Sequence, residues 1–259
     1  MPVKYFDCSA GKVDIAACLA GCPLPERCLS IPTLHELAKN RTFEPPYVFS
    51  TTQLINPTRL AYLQIVKPYS INPLKSGFKL LGTRHHGMLE AVAKKIEGMV
   101  SEVQLGGDIS GILDLLQPNN GDDTYTMIDY KTIGCFAIKK LLDGDWSSGY
   151  DLQLNHYRIK AKPLGFDVTK LFLQYTARDG NTRTFKEYGI PAEMGLIPVP
   201  MLPDDTVVIY FYKKDTALRS ALETNTLPPM CGYEERWGNH RCIGFCDVKE
   251  FCPEGSKMR

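Results

Sequence analysis

The spacing of apolar residues changes several times along the chain, and each change marks an element. Pro23, Pro25 and Pro32 break the early segment, and Pro45-Pro46 mark a boundary before a longer patterned region. Ser50 can cap a helix running through Leu54 and Leu60, with Pro57 restricting where its first turn lies. Over residues 78–98, Leu81, Met88, Val92 and Ile96 follow helical spacing. This predicts an amphipathic helix with that stripe inward and His85 in line with it as a core histidine. Residues 109–116 and 125–131 read as two strands flanking a turn-rich loop at 117–123. Helices are predicted over residues 136–142 and about 150–163. Residues 170–176, 182–188 and 206–212 are rich in β-branched and aromatic side chains and read as strands, and residues 215–223 as a last helix before Pro228-Pro229. The pattern is that of a mixed α/β protein.

Candidate chemistry sits on the two central strands. Asp129 and Lys131 lie two apart, so both project from one face of their strand. The loop returns the chain towards Asp114, which lets two carboxylates and an ammonium meet. Carboxylates of this kind hold hard divalent cations, and a lysine beside them can stabilise charge developing on a phosphate. Ile112, Leu113, Leu115 and Leu116 surround Asp114, and Met127 and Ile128 precede Asp129. Carboxylates set among apolar residues need a counter-charge or a metal. On the preceding helix, Gly82, His86 and Glu90 recur every four residues and share a face, so His86 rather than His85 is available as a ligand. Gln153 and Tyr157, again four apart, could present an amide and a phenol to a nucleic-acid backbone, or could belong to an ordinary amphipathic helix.

Composition narrows the class. The 259 residues are 44% hydrophobic and 23% charged with a formal net charge of +1, ordinary for a globular protein with a sizeable core. No basic excess announces a nucleic acid, so any such contact must be local. The longest apolar runs, such as residues 207–212, are too short to span a bilayer, and the N-terminus lacks the apolar run of a signal peptide. A cytoplasmic location is expected.

Eight of the nine cysteines form two sets: Cys8, Cys18, Cys22 and Cys28 near one end, Cys231, Cys242, Cys246 and Cys252 near the other. Their spacings, C-x9-C-x3-C-x5-C and C-x10-C-x3-C-x5-C, nearly match. In a reducing compartment such clusters are more often metal ligands than disulfides. Four thiolates can close a tetrahedral zinc site or hold a [4Fe–4S] cluster. Cys135 stands alone and reads as a small buried residue.

Taken together these residues resemble the RecB-like branch of the PD-(D/E)XK nucleases, including the CRISPR-associated RecB-like exonucleases. Gly82-Thr83-Arg84-His85-His86 followed by Glu90 looks like the family's G-x-x-x-H helix motif. Gly111-Ile112-Leu113-Asp114 looks like its G-x-x-D strand, Asp129-Tyr130-Lys131-Thr132 like its D-Y-K-T strand, and Gln153-Leu154-Asn155-His156-Tyr157 like its Q-L-x-x-Y helix. The resemblance covers about the middle two-thirds of the chain, with the four motifs in order. It implies a restriction-endonuclease-like core, a mixed central β-sheet flanked by helices, with Cys-rich metal-binding ends. It implies His86, Asp114 and Asp129 as ligands of Mg2+ or Mn2+, the Tyr130 carbonyl as a further ligand, Lys131 as the catalytic lysine, and Gln153 and Tyr157 as supports of the site and the DNA. The implied activity is cleavage of DNA, often exonucleolytic, in recombination, repair, phage replication or defence, with a phage or bacterial recombination partner. The alternative is a catalytically inactive nuclease-like module that binds nucleic acid.

Relatives place one cluster cysteine in the N-terminal helix segment, and here residues 52–59 contain none. The C-terminal set alone offers four thiols, and the resemblance favours [4Fe–4S] over Zn2+ there. For the N-terminal set, zinc and iron–sulfur stand level. The expected division is a Cys-rich segment at 1–46, a nuclease core at 47–229 and a Cys-cluster segment at 230–259. Lys249, Lys257, Arg259, Arg236 and Arg241, with Trp237 and Phe251, could let the last segment brace DNA, or could form a solvated basic tail.

Overall fold

The structure, a computed structural model, describes residues 3–39 and 44–258. The chain runs β1 (Val3–Cys8), β2 (Gly11–Asp14), α1 (Ile15–Ala20), α2 (Ile31–Ala38), β3 (Phe49–Ser50), α3 (Thr51–Ile55), α4 (Thr58–Val66), β4 (Tyr69–Ile71) and α5 (Gly77–Ala93). It continues with β5 (Val100–Leu105), β6 (Ile109–Pro118), β7 (Thr124–Ile133), α6 (Cys135–Leu142), α7 (Tyr150–Ala161), β8 (Asp167–Ala177), α8 (Thr182–Tyr188), β9 (Met194–Pro198) and α9 (Asp204–Glu223). No helix among the described residues is long and apolar enough to cross a membrane.

Two compact units emerge, and they cut the chain differently from the linear three-part division. One takes residues up to Val48, Asn56–Leu80 and the chain from Lys213 onward, so both Cys-rich ends belong to it. The other takes Phe49–Ile55 and Leu81–Tyr212. In the first, a three-stranded sheet of order β2-β1-β4 covers a small core of Phe6, Cys18, Leu34 and Leu37.

The second unit is an α/β body with a mixed sheet flanked by helices. Its strand order is β3-β6-β7-β8-β9, with β5 also on β6. β7 pairs antiparallel with β6 and parallel with β8, and residues 126–130 of it are all buried. A strand covered on both faces loses the apolar–polar alternation of a half-exposed one. One face packs Leu113, Met127, Leu154 and Tyr157, and the other packs Ala93, Leu115, Ile128 and Tyr130.

Three sequence expectations need correcting. Residues 182–188 form α8, because Asn181 Oδ1 accepts from the Arg183 and Thr184 amides and Gly189 closes the helix with φ +65°. Residues 206–212 lie in α9 and not in a strand. Pro203 and the first-turn acids Asp204 and Asp205 start that helix, and Val207, Phe211, Leu218 and Ala221 are buried at helical spacing, which outweighs β-propensity. On α5 the apolar stripe points out: Leu81, Met88 and Val92 are all half or more exposed. The face that packs is the one with Gly82 and Leu89, where a Cβ on Gly82 would stand 3.3 Å from Thr132 Oγ1. His85 is accordingly only partly buried, with Nε2 3.2 Å from Thr176 Oγ1.

α7 carries a buried histidine whose state bears on stability. His156 Nδ1 lies 2.8 Å from Thr51 Oγ1, and its ring stacks on Phe211 at 4.1 Å. Burial pulls its pKa down to about 4, with Lys160 adding to the effect. The folded chain therefore binds fewer protons than the unfolded one between about pH 4 and the ordinary histidine value of about 6.5. The contribution to stability is full above that window and is lost as pH falls through it. In urea melts of metal-free protein, the wild type is expected to lose roughly 2 kcal/mol relative to His156→Gln between pH 7 and pH 4.5. Parallel pH profiles for the two proteins would refute the assignment.

Candidate active site

β5, β6 and β7 carry a row of carboxylates. Ser101 pairs with Leu115 and Val103 with Leu113, which sets Glu102 opposite Asp114. Leu115 pairs with Ile128, so one step further along the same register Asp114 stands opposite Asp129. Three acidic side chains thus lie abreast on adjacent strands. Like charges in such a row repel unless a cation lies among them.

His86 from α5 completes the upper end. Its Nδ1 is 3.4 Å from Asp114 Oδ2, and the ligand atoms of His86, Glu102 and Asp114 all lie within 4.8 Å of one another. Among the described residues this is the one such group of three. The contact with Asp114 raises the His86 imidazole above its ordinary range, against the pull of burial. Asp114 is buried and its Oδ2 accepts from the Tyr130 amide at 2.8 Å, which ties β6 to β7 beside the site. The Tyr130 ring stands edge-on to both His85 and His86 at 6.0 Å.

Asp129 and Lys131 occupy the lower end. Lys131 Nζ pairs with Asp129 Oδ2 and lies 5.2 Å from the Tyr150 ring. Burial alone would lower the Lys131 pKa, but Asp129 and Asp114 outweigh it and keep the ammonium charged. Burial drives Asp129 the other way, up to about 6, with Asp114 adding to the rise. Gln153 Nε2 donates to Asp129 Oδ1 at 3.4 Å and to the Tyr157 hydroxyl oxygen at 3.2 Å. The Q-L-x-x-Y run is therefore a support behind Asp129, and a solvent-facing pair is excluded because Gln153 and Tyr157 are both buried. Asp129 Oδ2 accepts no hydrogen bond of sound geometry and faces Lys131 alone.

The structure brings His86 and Asp114 together, sets Asp129 and Lys131 beside them, and links Gln153 and Tyr157 to Asp129. Sequence reasoning missed Glu102. The residue sits in a short strand, with φ +53°, a conformation that costs a residue with a Cβ about 1 kcal/mol. Burial raises the Glu102 pKa, and Asp114 and Glu90 raise it further. A half-buried carboxylate in a left-handed backbone conformation, abreast of a second carboxylate, is held against two unfavourable effects.

No protein-family model and no curated protein matches the chain. Among solved structures it is similar to the crystal structure of SSO0001, at 20% identity and a TM-score of 0.51, over 86% of this chain and 93% of that one. A likeness at this identity speaks for the fold alone. It spans most of both chains, as expected for a shared α/β architecture.

All nine cysteines are free thiols, and no three of their sulfurs lie within 4.8 Å of one another. Burial raises the Cys18 thiol, with Cys22, Cys28 and Cys8 all close enough to add to it. Burial likewise raises Cys231 and takes Cys246 up to about 11, again with neighbours of the same set contributing. Cys135 is buried at the start of α6, its amide donating to Asp179 Oδ1 at 2.7 Å. In the last segment Arg236 and Arg241 are half-buried, while Lys249 and Lys257 are exposed. Arg236 Nε donates to the Cys231 carbonyl at 3.0 Å, Lys249 Nζ to the Ile243 carbonyl at 2.9 Å, and Arg241 stacks on Trp237. Arg259 lies outside the described residues.

Proposed function

We propose that this chain is a DNA nuclease of the restriction-endonuclease-like fold that hydrolyses phosphodiester bonds with Mg2+ or Mn2+. The observation that carries the reading is the row of Glu102, Asp114 and Asp129 across three strands, with Lys131 beside it and His86 above it. The donor set suits a hard divalent cation: carboxylate oxygens and one imidazole nitrogen. Asp129 Oδ2, buried and paired with the Lys131 ammonium, is an oxygen such an ion could share. His86, Glu102, Asp114 and Asp129 would hold it, with the Tyr130 carbonyl as a further oxygen. A cation held there supplies Lewis acidity and charge compensation for phosphate chemistry. The chain's own groups do the rest. Lys131 stays protonated and faces the phosphate's developing charge. Gln153 fixes the Asp129 carboxylate by one oxygen and leaves the other pointing at Lys131.

The deciding assay compares wild type with Asp129→Ala on end-labelled single- and double-stranded DNA, with Mg2+, Mn2+ or chelator. Wild-type cleavage that needs the cation and vanishes in the variant supports the reading. Cleavage that survives the substitution or ignores chelator overturns the site, and wild type inert on every substrate overturns the activity in favour of a binding module. Glu102 is tested separately. Glu102→Gly is expected to weaken Mn2+ binding by about tenfold, roughly 1.4 kcal/mol, yet to leave the metal-free fold about 1 kcal/mol more stable than Glu102→Ala does. Titration calorimetry and urea melts read the two effects independently.

The reading extends to the thiols. The C-terminal four would hold a [4Fe–4S] cluster, with Zn2+ as the alternative, and the N-terminal four would hold zinc or iron–sulfur. Either group would pin its end of the chain. Visible absorbance after anaerobic purification separates iron–sulfur from colourless, zinc-loaded protein.

A further inference from the structure

α5 is held to the sheet by little apolar packing. Of its 17 residues only Ala93 is buried, and Leu81, Met88 and Val92 face outward. Its seat is a pair of threonines on adjacent strands. Thr132 of β7 pairs with Thr176 of β8 in parallel register. Gly82 lies close over the first, where a Cβ would meet Thr132 Oγ1 at 3.3 Å. His85 reaches the second, with Nε2 3.2 Å from Thr176 Oγ1. His85 Nδ1 is buried and has no hydrogen-bond partner. A bare ring nitrogen is cheaper to leave unpaired than an N–H. The proton is therefore assigned to Nε2, which donates to Thr176 Oγ1.

His86 follows directly and looks the other way. Successive residues of an α-helix are about 100° apart, so His85 and His86 leave α5 on two flanks. His85 meets β8, and His86 Nδ1 stands 3.4 Å from Asp114 Oδ2 on β6. β7 lies between those strands, and its Tyr130 ring is edge-on to both histidines at 6.0 Å. The two imidazoles are themselves edge-on at 6.2 Å. The helix thus straddles β7, anchored on one side and presenting a ligand on the other. A roll of α5 by about 10° would move a side-chain tip by about 1 Å. The ligand atoms of His86, Glu102 and Asp114 lie within 4.8 Å of one another, and such a roll would open that set. The sparse apolar packing of α5 resists a roll weakly. A hydrogen bond at the flank resists it directly, because its length changes with the angle.

We propose that His85 is a positioning residue of the cation site, and that its bond to Thr176 sets the roll of α5 that brings His86 to Asp114. His85 acts through His86 and is not itself a ligand. The proposal rests on the reading that His86, Glu102 and Asp114 bind a divalent cation, and is independent of whether that cation serves DNA cleavage.

The experiment measures Mn2+ binding to the full chain by titration calorimetry, with urea melts in chelator beside it. His85→Ala and Thr176→Val each remove the bond, and each is expected to weaken Mn2+ binding about tenfold, the low end for groups that orient a metal ligand. The double variant is expected to bind within about twofold of the single ones, since all three lack the same contact. His85→Gln, whose amide can donate from the Nε2 position, and Thr176→Ser, which keeps the hydroxyl, are expected within about threefold of wild type. A general loss of packing would show no such rescue. Thr176→Val deletes the hydroxyl at constant shape, so its comparison with Thr176→Ser decides even where His85→Ala lowers stability. If His85→Ala and Thr176→Val bind Mn2+ as wild type does, the contact only supports the fold, and the proposal is overturned while the cation site stands. If both His85 variants lose binding and Thr176→Val keeps it, His85 is a ligand itself, and the proposal is again overturned. If wild type binds no Mn2+, or His86→Ala binds it as tightly as wild type, the cation site falls and the proposal with it.

Discussion

Asp114→Asn is expected to abolish cation-dependent DNA cleavage, by roughly 1,000-fold or more, about 4 kcal/mol of transition-state stabilisation. The size follows from position. Asp114 is the middle member of the carboxylate row, flanked by Glu102 on β5 and Asp129 on β7, and it is the carboxylate that faces His86. Losing its charge weakens the ligand set on both sides at once. The fold has little reason to suffer. An asparagine side-chain oxygen can still accept from the Tyr130 amide, now at 2.8 Å from Oδ2. The substitution also removes one of three neighbouring negative charges, so the metal-free protein should be as stable as wild type or more so. Cleavage assays on labelled DNA, run beside urea melts in chelator, check both halves. Loss of activity accompanied by loss of fold would show a structural carboxylate. Full activity would remove Asp114 from the site.

The second large effect is expected at Gly111, three residues before Asp114. A Cβ built there would stand 2.5 Å from Tyr157 Cε1, and the Tyr157 ring is buried and cannot swing clear. Gly111→Ala should therefore cost about 2–3 kcal/mol of stability, the range of an overpacked core. It should also lower activity, because the Tyr157 hydroxyl shares Gln153 with Asp129, and a displaced ring would carry the amide with it. Misplacing a supporting group commonly costs ten- to a hundredfold around a metal site. The test is a double-mutant cycle. In a Tyr157→Leu background, which is itself destabilised, adding Gly111→Ala should cost less than about 1 kcal/mol. Costs that simply add would show that the glycine is needed for some reason other than this contact.

These cases show why parts of the site could be read from residue order and others could not. Asp114, Asp129 and Lys131 were legible because they lie on two consecutive strands joined by a tight loop, where period and turn chemistry fix who faces whom. Gln153 and Tyr157 were legible as a helical pair, but their role as a support behind Asp129 depends on burial, which spacing does not give. Glu102 was hidden because its short strand, Val100–Leu105, has little alternation of buried and exposed positions, and spacing does not show which residue of β6 it faces. α5 misled for a different reason. Its larger apolar residues face outward, while the packed side is set by how closely Gly82 lets the backbone approach Thr132. The β-branched residues of α9 misled through propensity, which a good helix start and buried residues at helical spacing overrode.

The hairpin that carries Asp114 and Asp129 has a consequence for the order of folding. Its strands are joined by the five residues 119–123, where Asp122 Oδ1 accepts from the Thr124 amide and the Asn119 amide donates to the Thr124 carbonyl. Closing so short a loop costs little chain entropy. Pairing β7 with β8 joins Ile128 to Phe172 across the whole of α6 and α7, a far more distant contact that forms more slowly. The Asp114–Asp129 pair is thus expected to form by local chain closure, before the crossover brings Gln153 and Tyr157 up behind it. Repulsion between the two carboxylates consequently falls on the early part of the folding path, so cation concentration can set the speed of folding as well as the stability of its end state.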